Sequence, residues 1–170
     1  MLDEIDQQIV ALLQANARAS HAEIGRAVGL TASSVYERVR KLEERGVILG
    51  YRALVDPAAL GQIITAFIRV RQMADVAPFE RAVLAESNVV ECHDITGDDC
   101  YIVKVHAHNT TELHTILQRL RAAAGNVNTV TSIVLHTVKE NSPIVVNAVE
   151  LEKETKDAPL SSREKLAQLQ

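Results

Sequence analysis

Apolar residues recur with helical spacing over the first fifty positions and with strand-like alternation after them. Ile5, Ile9, Leu12 and Leu13 form one stripe behind Asp3, a residue suited to cap a helix. The run "NARAS" breaks that pattern. Ser20 followed by Glu23 has the spacing of a capping box, and Ile24, Ala27 and Val28 give the second helix an apolar face. Gly29 stops it, as a left-handed C-terminal position would. A third helix starts near Thr31, carries Val35, Val39 and Leu42 inward, and ends at Gly46. Only "GLT" separates the second helix from the third. That is helix-turn-helix spacing, with Leu30 filling the corner. "VILGYRALV" follows, short and rich in β-formers, and predicts a small wing strand or hairpin.

The remaining pattern changes period. Residues 62–71 read as a strand, with Ile64, Ala66, Ile68 and Val70 on one face and Ile63, Thr65, Phe67, Arg69 and Arg71 on the other. Residues 77–86 read as a helix with Phe79, Ala82 and Val83 inward, and Pro78 is tolerated in its first turn. "NVVECHDI", the turn "TGDD" and "CYIVKVHAH" make a strand pair. A helix over 110–123 carries Leu113, Ile116, Leu117 and Leu120, Asn126 is a turn residue, and "VNTVTSIVLHTVKE" reads as a last, long strand. The order βαββαβ is ferredoxin-like. The predicted class is α+β: a winged helix-turn-helix over 1–50, a wing strand and linker over 51–61, and a ferredoxin-like domain over 62–140. A C-terminal extension over 141–170 is expected to be partly ordered, with Ser161 or Ser162 capping a short final helix. Apolar residues on both faces of several strands predict that the open sheet face is covered by a second copy, or alternatively by an amphipathic C-terminal segment.

Composition narrows the function classes. The chain has 170 residues and a formal net charge of -4, so a DNA-binding face must be local and not a global basic excess. Aromatic residues are 3% and Trp is absent, which leaves the core to Val, Leu, Ile and Ala. Cys92 and Cys100 are too few for a disulfide scaffold and read as two buried thiols in a reducing compartment. The acidic start lacks the basic region of a signal peptide. No apolar run approaches the ~20 residues of a membrane span. A cytoplasmic protein without membrane contact is expected. The histidines, including His93, His106 and His108, show no metal-ligand spacing, so no metal or cofactor is expected. There is no nucleophile–base set and no phosphate-binding glycine loop, so the chain does not read as an enzyme.

Two places carry candidate chemistry. On the third helix, Ser33, Ser34, Glu37, Arg38, Arg40 and Lys41 lie off the apolar stripe. Small hydroxyls at a helix start suit entry into a major groove, Arg38 suits a guanine edge or a phosphate, and Arg40 and Lys41 suit phosphates. Arg45 and Arg52 extend the basic surface. Tyr36 either packs at the core rim or stacks near the sugar-phosphate backbone. The competing reading is a plain three-helix unit with a solvated charged face. The second place is the turn Thr96-Gly97-Asp98-Asp99. Its glycine permits close approach, and its carboxylates can receive the ammonium group of a small amine or amino acid. The competing reading there is an ordinary Asp/Gly hairpin turn.

The stretches "LDEIDQQIVALLQANARAS" and "EIGRAVGLTASSVYERVRKLEERGVILGYRALVDPAALG", with "DITGDDCYIVKV" further on, resemble the leucine-responsive regulatory protein/AsnC (feast/famine) family over about residues 2–140. The resemblance implies a transcription regulator: a homodimer that assembles to a tetramer or octamer on double-stranded DNA. It implies a recognition helix over 31–44, with Thr31, Ser33, Ser34, Tyr36, Arg38 and Lys41 at DNA-contact positions. It also implies a small effector, usually an amino acid, bound between regulatory domains at a loop matching Gly97, Asp98 and Asp99, with Tyr101 beside it. Where the family commonly has Asp before that Tyr, this chain has Cys100. Two rival functions remain at this stage: a ligand-sensing protein that no longer binds DNA, and a small-molecule enzyme depending on Asp98, Asp99 or a histidine.

Overall fold

The computed structural model describes residues 2–71, 73, 75–125 and 127–146. The expected turn at Asn126 and the expected helix after Ser161 lie outside them. The described chain divides into two units: residues 2–51 with 141–146, and residues 52–140.

The first unit is built from α1 (Glu4–Ala15), α2 (His21–Val28) and α3 (Ala32–Glu44). Each start is closed by the residue the sequence supplies for it. Asp3 accepts from the Asp6 N–H at 2.7 Å. Ser20 and Glu23 make a reciprocal capping box, and Thr31 accepts from the Ser34 N–H at 3.2 Å. Capping satisfies amide donors that have no partner inside the helix, typically worth ~1 kcal/mol each. Gly29 takes the left-handed conformation at φ 71° that ends α2. Ile9, Ile24, Val35, Val39 and Leu42 form the core between the three helices. The turn between α2 and α3 is tighter than its sequence shows. The Leu30 N–H donates to the Gly25 carbonyl at 2.9 Å. A Cβ at Gly25 would lie 2.5 Å from the Leu30 carbonyl oxygen. Beyond α1, the Gln14 carboxamide holds the backbone of Ile144 at both ends, donating to its carbonyl at 3.0 Å and accepting from its N–H at 2.7 Å.

The second unit contains β1 (Ile64–Arg71), α4 (Ala77–Ala85), β2 (Val89–Asp94), β3 (Tyr101–Ala107), α5 (Thr110–Ala123) and β4 (Asn128–Ile133). The four strands form one antiparallel sheet in the order β2-β3-β1-β4. Both helices pack on one face. Alternation places Ala66, Ile68 and Val70 of β1 and Val103, Val105 and Ala107 of β3 on that face, against Phe79, Leu113, Ile116 and Leu120. The βαββαβ fold expected from the pattern is therefore present.

Two expectations are corrected. Residues 49–55 form no strand: the predicted wing has no ladder partner among the described residues. The N–H groups of Val47 and Ile48 close the end of α3 on the Leu42 carbonyl instead, and Leu49 is 94% exposed. A β-rich composition records a preference for pairing, not the presence of a neighbour. The last strand is also shorter than the predicted 127–140. It pairs with β1 to Ile133, adds one bond from the Val134 N–H to the Thr65 carbonyl, and then runs out of partner because β1 begins at Ile64.

Gly25→Ala is expected to lower stability by about 1–3 kcal/mol, the usual cost of overpacking, because a backbone carbonyl cannot yield as a side chain can. Phe79→Ala, which empties a fully buried site, is expected to cost about 3–5 kcal/mol. Urea unfolding of both variants against the parent measures each.

Candidate nucleic-acid interface and effector loop

The outward face of α3 divides into three parts. At its start, the Thr31 hydroxyl lies 3.0 Å from that of Ser33 and 2.9 Å from that of Ser34. These exposed hydroxyls cluster where the unpaired amides of the helix start concentrate positive potential. In the middle, Arg38 is drawn inward. Its Nη1 donates to Asp3 at 2.7 Å and to Asp6 at 2.6 Å, which ties α3 to α1. Asp6 is only 8% exposed, so this pair supplies a partner that a buried carboxylate requires. Its hydrogen bonds to Asp3 and then to Asp6 raise the Arg38 pKa, and Arg38 in turn holds the Asp3 carboxyl below its ordinary value. Toward the end of the helix, Arg40 pairs with Glu37 at 3.1 Å and Glu44 at 3.6 Å on its own helix. Lys41 is exposed and makes no ion pair among the described residues. Ser34, Arg38, Lys41 and Arg45 line one open hollow with Asp3 and Asp6. Tyr36 is half exposed and meets His21 edge to face at 5.6 Å. Arg52 is exposed and belongs to the other unit.

The structure thus brings Thr31, Ser33 and Ser34 together, groups Arg38 with Lys41, and places Arg40 in helix-surface pairs. The role of Asp6 was missed from the sequence. Its signal is the repeat of Asp at positions 3 and 6, one helical turn apart, opposite a basic face.

The loop between β2 and β3 is closed at its base. The Ile95 N–H donates to the Cys100 carbonyl at 2.9 Å, and the Cys100 N–H to the Val70 carbonyl of β1 at 2.7 Å. Gly97 sits at φ 118°, a conformation L-residues rarely adopt, and no atom lies within 4 Å of where its Cβ would be. Asp98 is exposed. Asp99 is not: its side chain is 11% accessible and accepts from Arg71 Nε at 2.5 Å, with Arg69 Nη1 at 3.5 Å. Tyr101 does not stand beside the loop surface as expected. It shares the parity of Val103 and Val105, so strand alternation turns it into the core, 5% exposed. There its ring meets Phe79 at 5.1 Å, and its hydroxyl donates to Glu80 at 2.7 Å, a bond that with burial pushes the phenol pKa up to about 12.

The open sheet face is partly roofed by the chain itself. Thr65, Phe67, Lys104, Val134 and residues 136–140 enclose a hollow of about 450 Å³. Lys104 is buried between Glu91 at 3.3 Å and Glu140. Burial acts to lower its pKa, but its bonds to Glu140 and Glu91 carry it above the ordinary value. Burial and Lys104 lower the pKa of His106, which hydrogen bonds Thr65 at 3.0 Å. Among the described residues no group of three His, Cys, Asp or Glu is arranged to hold a metal ion. No described helix is long and apolar enough to cross a membrane.

A helix-turn-helix joined to a ferredoxin-like unit with a glycine–aspartate loop is the arrangement of a regulator that meets DNA and a small molecule with one chain. The chain belongs to the Lrp/AsnC family. The AsnC-type helix-turn-helix domain matches residues 2–43, and the Lrp/AsnC ligand binding domain matches residues 65–144. It is 38% identical over 146 residues to the HTH-type transcriptional regulator FL11 of Pyrococcus horikoshii, covering 85% of this chain and 97% of that protein. Among solved structures it is similar to a feast or famine regulatory protein of Mycobacterium tuberculosis complexed with L-methionine, with a TM-score of 0.78, 32% identity, and coverage of 85% and 99% of the two chains. It is also similar to a transcriptional regulator of Neisseria meningitidis in complex with L-Met, with a TM-score of 0.79, 26% identity, and coverage of 86% and 98%.

The Asp3–Arg38 pair gives stability a defined pH dependence. Because the folded Asp3 pKa lies below the ordinary 3.8, the contribution is full above that value and is lost as pH falls through the folded pKa. Urea midpoints of the parent and Arg38→Ala are expected to differ at pH 7 and to converge toward pH 2.

Proposed function

We propose that this regulator reads operator DNA with the start of α3 and changes its affinity or assembly when a free amino acid binds near Gly97–Asp99. The observation that carries the DNA part is the exposed hydroxyl cluster of Thr31, Ser33 and Ser34, with Lys41 about two helical turns beyond Ser34 and without an ion pair among the described residues. Hydroxyls and the helix start meet bases or phosphates in a major groove, and Lys41 neutralises a phosphate. Tyr36 and Arg52 serve as flanking backbone contacts. Arg38 contributes chiefly by fixing α3 on α1, and Arg40 contacts phosphate only after leaving its two glutamates. The chain is a binding protein of the cytoplasm and not an enzyme.

A second copy covers the open sheet face to make a homodimer, and dimers assemble to a tetramer or octamer. Charges on that face are matched in place, Lys104 with Glu91 and Glu140, and Arg69 and Arg71 with Asp99. Leu54, Val55, Ile63 and Leu135 of the same unit are exposed. Matched charges among exposed apolar residues suit an interface. A two-fold dimer favours pseudo-palindromic sites.

Selection of genomic fragments by the purified protein, with and without the twenty amino acids, tests both parts. A shared pseudo-palindromic motif whose enrichment one amino acid alters is the expected result. No enrichment at modest salt would overturn the DNA reading and leave a ligand-sensing protein. Lys41→Ala is expected to weaken binding across all sequences and to reduce the slope of log affinity against log salt by about 1, the signature of a phosphate contact.

A further inference from the structure

Residues 141–146 follow the regulatory unit in sequence but group with residues 2–51, so the chain passes between the two units twice, after Tyr51 and again after Glu140. The second passage is anchored at each end. On the regulatory side, Glu140 pairs with Lys104 of β3, whose side chain is only 9% accessible. On the other side, the Gln14 carboxamide of α1 donates to the Ile144 carbonyl at 3.0 Å and accepts from the Ile144 N–H at 2.7 Å. One side chain thus takes both backbone groups of one residue, as a neighbouring strand would. Ile144 and Val145 are 81% and 89% exposed, so the hold is by backbone and not by apolar burial. The three residues between the anchors are restricted. Asn141 has φ 52°, the one positive value outside glycine among the described residues, in a region that Asn enters more readily than most. Pro143 fixes its own φ and keeps Ser142 out of the helical region.

We propose that residues 140–144 are a strap that couples the Lys104 anchor on the open sheet face to α1, so that freeing Glu140 loosens Ile144 from Gln14. Four residue steps extend to no more than about 14 Å, so neither anchor moves far without drawing on the other. Both anchors are open to water: the Glu140 side chain is 42% accessible, and the Gln14 bonds lie at the surface. Exposed contacts of this kind open at low free energy, which a core contact does not, and a switching element needs that property. The far end of the strap is well placed to matter. Asp3 and Asp6 of α1 hold Arg38 of α3, so the strap ends on the helix that braces the DNA-facing one. In the dimer proposed above, the covering copy meets Glu140 directly and supplies an input. The coupling itself does not depend on that reading.

Amide hydrogen exchange of the full-length protein, followed by NMR at the Ile144 N–H, tests it. The variants are Glu140→Gln, Glu91→Gln, Gln14→Ala, Gln14→Glu and the double variant Gln14→Ala with Glu140→Gln. Exchange at Val103 and Val105 of the buried strand reports that each remains folded. Glu140→Gln, which touches neither Gln14 nor Ile144, is expected to speed Ile144 exchange about two- to tenfold, the worth of one hydrogen bond. Glu91→Gln removes the other carboxylate on Lys104 and leaves the strap intact, and is expected to stay within about twofold of the parent, below that range. Gln14→Glu can accept from the Ile144 N–H but cannot donate to its carbonyl, and is expected to fall between the parent and Gln14→Ala. In the double variant the strap is already free at α1, so Glu140→Gln is expected to add nothing to Gln14→Ala, whereas independent anchors would add. Ile144 exchange unchanged in Glu140→Gln overturns the coupling. Equal acceleration by Glu91→Gln overturns it too, since it marks a general loosening around Lys104. Exchange as fast in the parent as in Gln14→Ala removes the anchor on α1 and the strap with it.

Discussion

Strand β1 is hydrogen-bonded on both sides, to β3 and to β4, and its two faces organise the regulatory unit. A one-residue slip of a strand exchanges its faces. Here such a slip would put Ala66, Ile68 and Val70 into solvent and drive Arg69 and Arg71 into the core. The apolar face therefore fixes the register, and the register fixes where the two guanidinium groups stand. The loop after β2 is then caught in place by the Cys100 N–H on the Val70 carbonyl and by Asp99 on Arg71 and Arg69. Hydrophobic burial on one side of a strand thus decides the geometry of a polar site on the other.

The DNA-binding unit uses charge differently. Arg38 lies in the middle of the recognition helix, yet its strongest partners are two aspartates of α1. Asp6 is nearly buried, and a buried carboxylate without a partner is costly. Any phosphate that attracts Arg38 competes with that demand. The arginine is accordingly more useful as a brace for α3 than as a free cation. In the function proposed above, the hydroxyl-bearing helix start reads sequence, and Lys41 with the flanking arginines supplies backbone attraction. The acidic balance of the chain is consistent with this division, because part of its acid stands against the basic face from within.

Elements whose signals are local were legible in the sequence. Ser20 with Glu23, Thr31 before a helical stripe, and Gly29 at a helix end each name a boundary, because capping is decided within a few residues. The strand parity that buries Ile68 and Val103 was equally plain. The same parity buries Tyr101, and following it through "CYIVKV" would have removed that residue from the loop surface. Partnerships at long sequence separation were not legible. The bond from Arg38 to Asp6 joins two helices that each looked complete alone, and Arg71 looked like the polar end of a strand until the loop folded back on it. The wing and the end of the last strand failed for a related reason. Val, Ile and Leu at alternating positions report a readiness to pair, while pairing needs a neighbour in register. Residues 49–55 have none among the described residues, and residues 135–140 outrun β1.

Regulation follows from these sites only through a difference in free energy. An amino acid changes DNA affinity to the extent that it binds one conformation or assembly more tightly than another, and DNA changes amino-acid affinity by the same factor. A fully enclosed pocket in each chain would give little such difference between assemblies. Gly97 and Asp98, in the loop of the proposed effector contact, instead lie exposed at the rim of a face whose remaining charges are already matched. A neighbouring subunit that approaches this rim alters the dielectric around the loop, and a charged contact strengthens as water leaves it.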